Sequence, residues 1–238
     1  MTEEEWLACM DLKAMVTFLK SKAIDQKPLV APPGFLRRFF KLKGKGGLPS
    51  KPASKSPVVP TRKLRLFNCA CFRMEHGDCI LNESEEQFAD GMIHIDSLVA
   101  AYEGVGDQDP TDALDCAHMD PYTSAYYLED AYGRRPHALE TTPLPEQVRL
   151  AWCNLLRDIF GNPFRLAAID PAILCWNDGT PVKIAQAIYE GRAFDGLPIL
   201  ADALEEAGCD DEDMLAHLRG VGPHVRGCWP LDLILEKS

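Results

Sequence analysis

The sequence predicts an all-α fold: a compact multi-helix domain carrying a Pro/Lys/Gly-rich inserted linker. Three observations predict it. Apolar residues recur at three- and four-residue spacing in several windows, and glycines close those windows. No run of alternating apolar and polar residues is long enough for a substantial sheet. A chain of 238 residues, 46% of them apolar, is long enough to bury a core of its own.

Residues 1–25 form the N-terminal helix of the body, with Trp6, Met10, Met15, Phe18 and Leu19 near helical spacing over 3–22 and Thr2/Glu5 placed as a capping box. Residues 26–61 carry seven prolines, four glycines and a series of lysines, a composition that reads as a flexible basic insertion. Within it, "GFLRRFFKLK" sets Phe35, Leu36, Phe39, Phe40 and Leu42 among Arg37, Arg38, Lys41 and Lys43, the pattern of a short amphipathic helix. The main body, residues 62–238, starts with a helix from Thr61 that ends at Gly77. A helix from an Asn82 cap to Gly104 follows, and then a long Pro/Asp/Tyr/Gly-rich loop over 105–145. "PEQVRLAWCNLLRDIFG" has a wide stripe of Val148, Leu150, Ala151, Leu155, Ile159 and Phe160, and Gly161 stops it. Thr180 followed by Pro181 marks a helix start that runs to Gly191. "DGLPILADALEEAG" repeats that grammar, and "DDEDMLAHLRG" is short and acid-capped. Trp152, Leu155, Leu156, Ile159 and Trp229 are the expected core.

Charge is unevenly spread. Between Gln26 and Met74 lie twelve of the 25 Lys and Arg residues and none of the 36 acids. The acidic remainder disfavours nonspecific nucleic-acid binding, so no specific nucleic-acid partner is expected. Residues 35–45, through Phe35, Arg37, Arg38, Phe39, Phe40, Lys41 and Lys43, suit weak contact with an anionic membrane surface or polyanion, or a plain tether. The glutamates of residues 1–12 do not form the basic region of a signal peptide, and no apolar run approaches bilayer length. The expected compartment is cytoplasmic, where nine scattered cysteines stay reduced and pack as small hydrophobes.

Several polar clusters invite a chemical reading. "GCDDEDMLAHLRGVGPHVRGCW" contains Cys209, His217, His224 and Cys228, all zinc-ligand types. There is no tight C-x-x-C pair, and Cys209 and His217 fall about 80° apart in helical azimuth. The segment therefore reads as helix packing, with no metal and no cofactor expected. "CACFRMEHGDC" offers Cys69, Cys71, His76 and Cys79, but helical geometry turns Cys71 about 200° from Cys69. Asp115, Cys116, His118 and Asp120 in "DCAHMDPY" are fair active-site ingredients and equally ordinary surface. His94 and Asp96 read as exposed residues of a helix, and "NDGT" at 177–180 as a turn with a cap. No nucleophile elbow, phosphate-binding loop or dinucleotide fingerprint is present, so catalytic residues stay unassigned.

The stretches "EEWLACMD", "MVTFLKSKA", "RKLRLFNCACFR", "LLRDIFGNPFR", "LPILADALEEAGCDDEDMLAHLRG" and "GPHVRGCWPLDLIL" resemble a mainly planctomycete family of helical bacterial proteins without an established function. The resemblance implies a helical accessory protein and brings no activity, substrate or cofactor with it. It also implies that residues 26–61 are an insertion, since in relatives the first helix runs almost directly into "RKLRLF". The expected role is a cytosolic interaction or accessory module whose partner is another protein. The rival is a hydrolase-like or metal-assisted enzyme using the 107–140 loop. A bound metal or a deep pocket lined by His118 favours the enzyme, and a broad apolar patch favours the binder.

Overall fold

The computed structural model describes residues 1–25, 61–77, 80–104, 145–165 and 167–237. Among them are ten α-helices and no strand, so the all-α expectation holds. Phe35, Arg37, Arg38, Phe39, Phe40, Lys41 and Lys43 of the basic segment lie outside the described residues, as do Cys79 and the loop with Asp115, Cys116, His118 and Asp120.

Helix α1 (Glu3–Ala8) opens on the expected capping box. Thr2 Oγ1 accepts from the Glu5 amide at 3.2 Å, and the Glu5 carboxylate accepts from the Thr2 amide at 2.7 Å. The single N-terminal helix that the periodicity suggests is in fact two. The chain turns extended at Cys9, and Asp11 restarts it as α2 (Leu12–Asp25), its Oδ1 accepting from the Ala14 amide at 2.9 Å. A short carboxylate that captures backbone amides favours a cap over a helix interior. Arg157 holds the break by donating to the carbonyls of Trp6 and Cys9.

Helix α3 (Thr61–His76) ends at Gly77 as expected. The next helix also divides, into α4 (Ile80–Ala89) and α5 (Ile95–Gly104), with Gly91 in the turn. Asn82 is not a cap. It is fully buried inside α4, and its Nδ2 donates to the Gly77 carbonyl at 2.9 Å, which serves the end of α3 instead.

Helix α6 (Glu146–Phe160) buries Trp152, Cys153, Leu155, Leu156 and Ile159 completely, while Leu150 from the expected stripe is 42% exposed. Helix α7 (Pro171–Gly191) starts nine residues earlier than Thr180, on an Asp170 cap, and is kinked at Trp176–Gly179. Asn177, Asp178 and Gly179 are left-handed there, residue types that tolerate it best, and Thr180 Oγ1 donates to the Asn177 carbonyl rather than capping. A 3₁₀ turn (Phe194–Gly196) leads into α8 (Leu197–Glu206), α9 (Glu212–Arg219) and α10 (Trp229–Ile234).

These helices build two main cores. Helices α1, α2, α3 and α6 enclose Trp6, Met15, Phe67, Trp152 and Leu155. Helices α7 to α10 enclose Leu197, Leu204, Met214, Cys228 and Leu231. A small third cluster around Leu81 and Leu98 joins α4 to α5, and α4 packs along α3. Trp229, expected in the core, is half-buried and lies against Gly161 at the border of the two cores. No helix among the described residues is long and apolar enough to cross a membrane.

Candidate metal centre

At the border of the two cores, Asp158, His217, His224 and Cys228 each turn one donor atom toward a common point, all within 4.8 Å of one another. Three elements deliver them. Asp158 sits in the last turn of α6, on the same face as Leu155 and Ile159, and its side chain is 3% exposed.

His217 comes from α9. Asp211 Oδ1 caps that helix by accepting from the Met214 amide at 2.9 Å, and Met214, Leu215 and Leu218 bury its inner face. The helix stops at Gly220, leaving His217 in its last turn beside Trp229, with ring centroids 5.5 Å apart.

The chain then runs without helix from Gly220 to Cys228, presenting His224 on the way, and Cys228 is the cap residue of α10. Gly222 is required in this path. Its φ is +84°, and a Cβ there would stand 2.8 Å from the His224 amide nitrogen.

The carboxylate organises the group. Asp158 Oδ1 lies 3.0 Å from His217 Nε2 and 2.8 Å from His224 Nδ1, while Oδ2 accepts from the Val225 amide at 3.1 Å. One oxygen is therefore pinned by backbone and the other is aimed into the centre. Cys228 Sγ is 3.4 Å from the same His217 Nε2. The far nitrogen of His224, Nε2, meets the Gly220 carbonyl at 3.2 Å. A ring N–H given to a backbone carbonyl is how metal-ligating histidines are oriented, because it leaves the other nitrogen's lone pair facing the ion.

Electrostatics agree with the geometry. Burial pushes the Asp158 carboxyl up, but hydrogen bonds and charge from His217 and His224 together bring it below the usual carboxylate range. Burial lowers His224, yet its bond to Asp158 and that carboxylate's charge leave it net raised. Burial, and then the Asp158 charge, push the Cys228 thiol well up.

This arrangement is not a Cys–His–Asp catalytic triad. A triad uses opposite nitrogens of the imidazole, one for the nucleophile and one for the orienting carboxylate. Here Cys228 and Asp158 both face Nε2 of His217. The thiol is also fully buried and, without a metal, held protonated. Donors that all face one point instead match a metal ion. Two imidazoles, one thiolate and one carboxylate suit zinc, and the thiolate disfavours magnesium and calcium. A tetrahedral zinc site with one sulfur places its donors about 3.3–3.6 Å apart, so separations of up to 4.8 Å need adjust by no more than about 1.5 Å.

The donor set differs from the one considered in the sequence. Cys209 is buried in the core of α7 to α10 and takes no part, and Asp158 takes its place. The azimuth of Cys209 relative to His217 therefore has no bearing on this set of four, although a tight C-x-x-C pair is absent from it as well. A signal for Asp158 was present: an aspartate between Leu155, Leu156 and Ile159 on a strongly amphipathic helix must be paired if it is buried. In the second candidate cluster, Cys69 and Cys71 are buried but point apart. Cys71 joins the first core, while Cys69 meets the Glu85 carboxylate of α4 at 3.5 Å. His94 and Asp96 pair at 3.0 Å on the exposed surface at the start of α5. No disulfide joins the described cysteines. No family model, curated protein or solved structure matches the chain.

Proposed function

We propose that this chain is a cytoplasmic helical accessory module, acting by binding another protein, whose fold is fixed by one structural zinc ion held by Asp158, His217, His224 and Cys228. The observation that carries the zinc reading is the closed donor set: four protein donors face one point, with side chains between 0% and 21% exposed. A catalytic zinc keeps a position open for water or substrate, whereas a structural zinc is enclosed by four protein ligands. Enclosure therefore favours a structural ion over the metal-assisted enzyme.

A protein partner is in keeping with the acidic body, which disfavours nucleic acid, and with the resemblance to helical accessory proteins. The basic stretch through Phe35, Phe39 and Phe40 remains our proposal for weak contact with anionic surfaces.

Metal analysis of protein purified without added chelator tests the centre. About one zinc per chain is expected. Stripping the zinc should lower the melting temperature, and the His224→Ala variant should no longer retain the ion. The Cys209→Ser variant should retain it. Zinc-free protein whose melting ignores chelator would sink the proposal.

A further inference from the structure

The zinc ligands are divided between the two cores. Asp158 lies on α6 of the first, His217 on α9 and Cys228 at the cap of α10 lie in the second, and His224 lies on the 220–228 segment between them, next to Val225, which packs on the first core.

The rest of the border is largely polar. Arg62 of α3 donates to Asp232 of α10 at 2.7 and 3.0 Å, to Tyr189 of α7 at 2.8 Å and to Asp90 in the α4–α5 turn at 2.8 Å. Lys63 stands 3.8 Å from the same Asp232. Glu86 of α4 meets Arg192 and Arg226 from the second core, and Arg165 meets Asp213 at 2.6 Å. Apolar contact across the border is made by Val225, which packs on the first core, by Trp229 over Gly161, and by Gly227 facing Leu66 and Ile159.

Buried ion pairs fix orientation well but give little net stability, because desolvating both charges offsets most of their attraction. Each core, by contrast, closes mainly on apolar side chains of its own half, with Val225 the exception. A border of this kind separates more readily than either core unfolds.

We infer that the metal centre is a clasp between two separately cored halves, and that metal occupancy decides whether they stay docked. This rests on the zinc reading above. With zinc bound, Asp158 ties the end of α6 to α9 and to the start of α10. Without it, the halves part along the Arg62–Asp232 and Glu86–Arg226 border while both cores keep their helices. Metal supply would then regulate which surfaces the protein shows to a partner.

Hydrogen–deuterium exchange on the full chain tests this, comparing zinc-loaded protein, chelator-stripped protein and stripped protein given zinc back, with zinc content and far-ultraviolet dichroism measured on each sample. The expected result is at least tenfold faster exchange over the non-helical segment 220–228 that carries His224 and Cys228 after stripping. Protection over 12–19 and 197–204 and the helical dichroism should be retained, and zinc should reverse the change. If zinc leaves and exchange does not change, the clasp is wrong while the zinc site stands. The clasp also fails if dichroism and all protection collapse together, since the ion would then hold up the cores themselves. If no sample ever contains zinc, the site and the clasp fall together.

Discussion

Asp158 does at residue scale what no other group in the centre does: it satisfies a backbone amide with one oxygen and faces two imidazoles with the other. That double duty sets a pH signature in the metal-free protein. Burial alone would raise the carboxyl, but His217 and His224 bring it below the usual range. A folded-state value below the unfolded one, about 3.9, adds stability that is fully present above the unfolded value. The contribution is lost as pH falls through the lower folded value. The Asp158→Asn variant keeps the shape and can still accept from Val225, but it has no charge to lose. In urea unfolding with chelator present, wild type should exceed the variant by about 2–4 kcal/mol near neutral pH. The gap should shrink steadily below about pH 4. An equal gap at every pH would show that the carboxylate's charge plays no part.

At the scale of elements, α6 has two tasks: it supplies the wall of the first core and it carries Asp158. Leu155, Leu156 and Ile159 are fully buried around that aspartate, so the helix has no freedom to rotate the carboxylate away. Leu155→Ala should cost about 2–5 kcal/mol by chemical denaturation, the transfer and cavity terms of a buried leucine. A loss below about 0.5 kcal/mol would mean that this face of α6 is not packed as described. The reading of α6 from sequence was sound in its limits and mostly in its face, because a long apolar stripe between clear stops leaves few alternatives. The breaks at Cys9–Asp11 and Asp90–His94 were harder to see. Apolar spacing continues across them; Asp11 as a cap and the left-handed Gly91 are local signals, and distant partners hold the breaks, Arg157 the first and Arg62 and Tyr189, through Asp90, the second.

For the whole molecule, Arg62 is the counterpart of the metal centre on the other side of the border. Burial disfavours its charge, but the hydrogen bond and charge of Asp232, with help from Asp90, keep it firmly protonated. The Arg62→Met variant fills similar space yet leaves two carboxylates, with side chains 0% and 2% exposed, with only the more distant Lys237 at 3.9 Å and Lys63 at 3.8 Å. The expected loss is about 3–5 kcal/mol, measured by denaturant unfolding of the zinc-loaded protein. A loss under about 1 kcal/mol would show that water reaches Asp90 and Asp232 and that the border is looser than drawn. Zinc content should stay at one per chain in this variant if the centre and the Arg62 network are independent fastenings.

The sequence by itself determined the helical class, the stops at Gly77 and Gly161, the capping box at Thr2 and Glu5, and four of the five expected core residues of α6 and α10. Those features are local: periodicity, glycine conformation and side-chain capping act within a few residues of chain. Only the tertiary structure decided that Asp158 joins His217, His224 and Cys228 and that Cys209 does not. Asp158 and His224 are 66 residues apart, and no spacing rule reaches across that distance. The two cores must pack before α6 can carry its buried aspartate to the mouth of the 220–228 segment. The charge then has to be met there, because a carboxylate left unpaired at that depth would cost more than the packing gains.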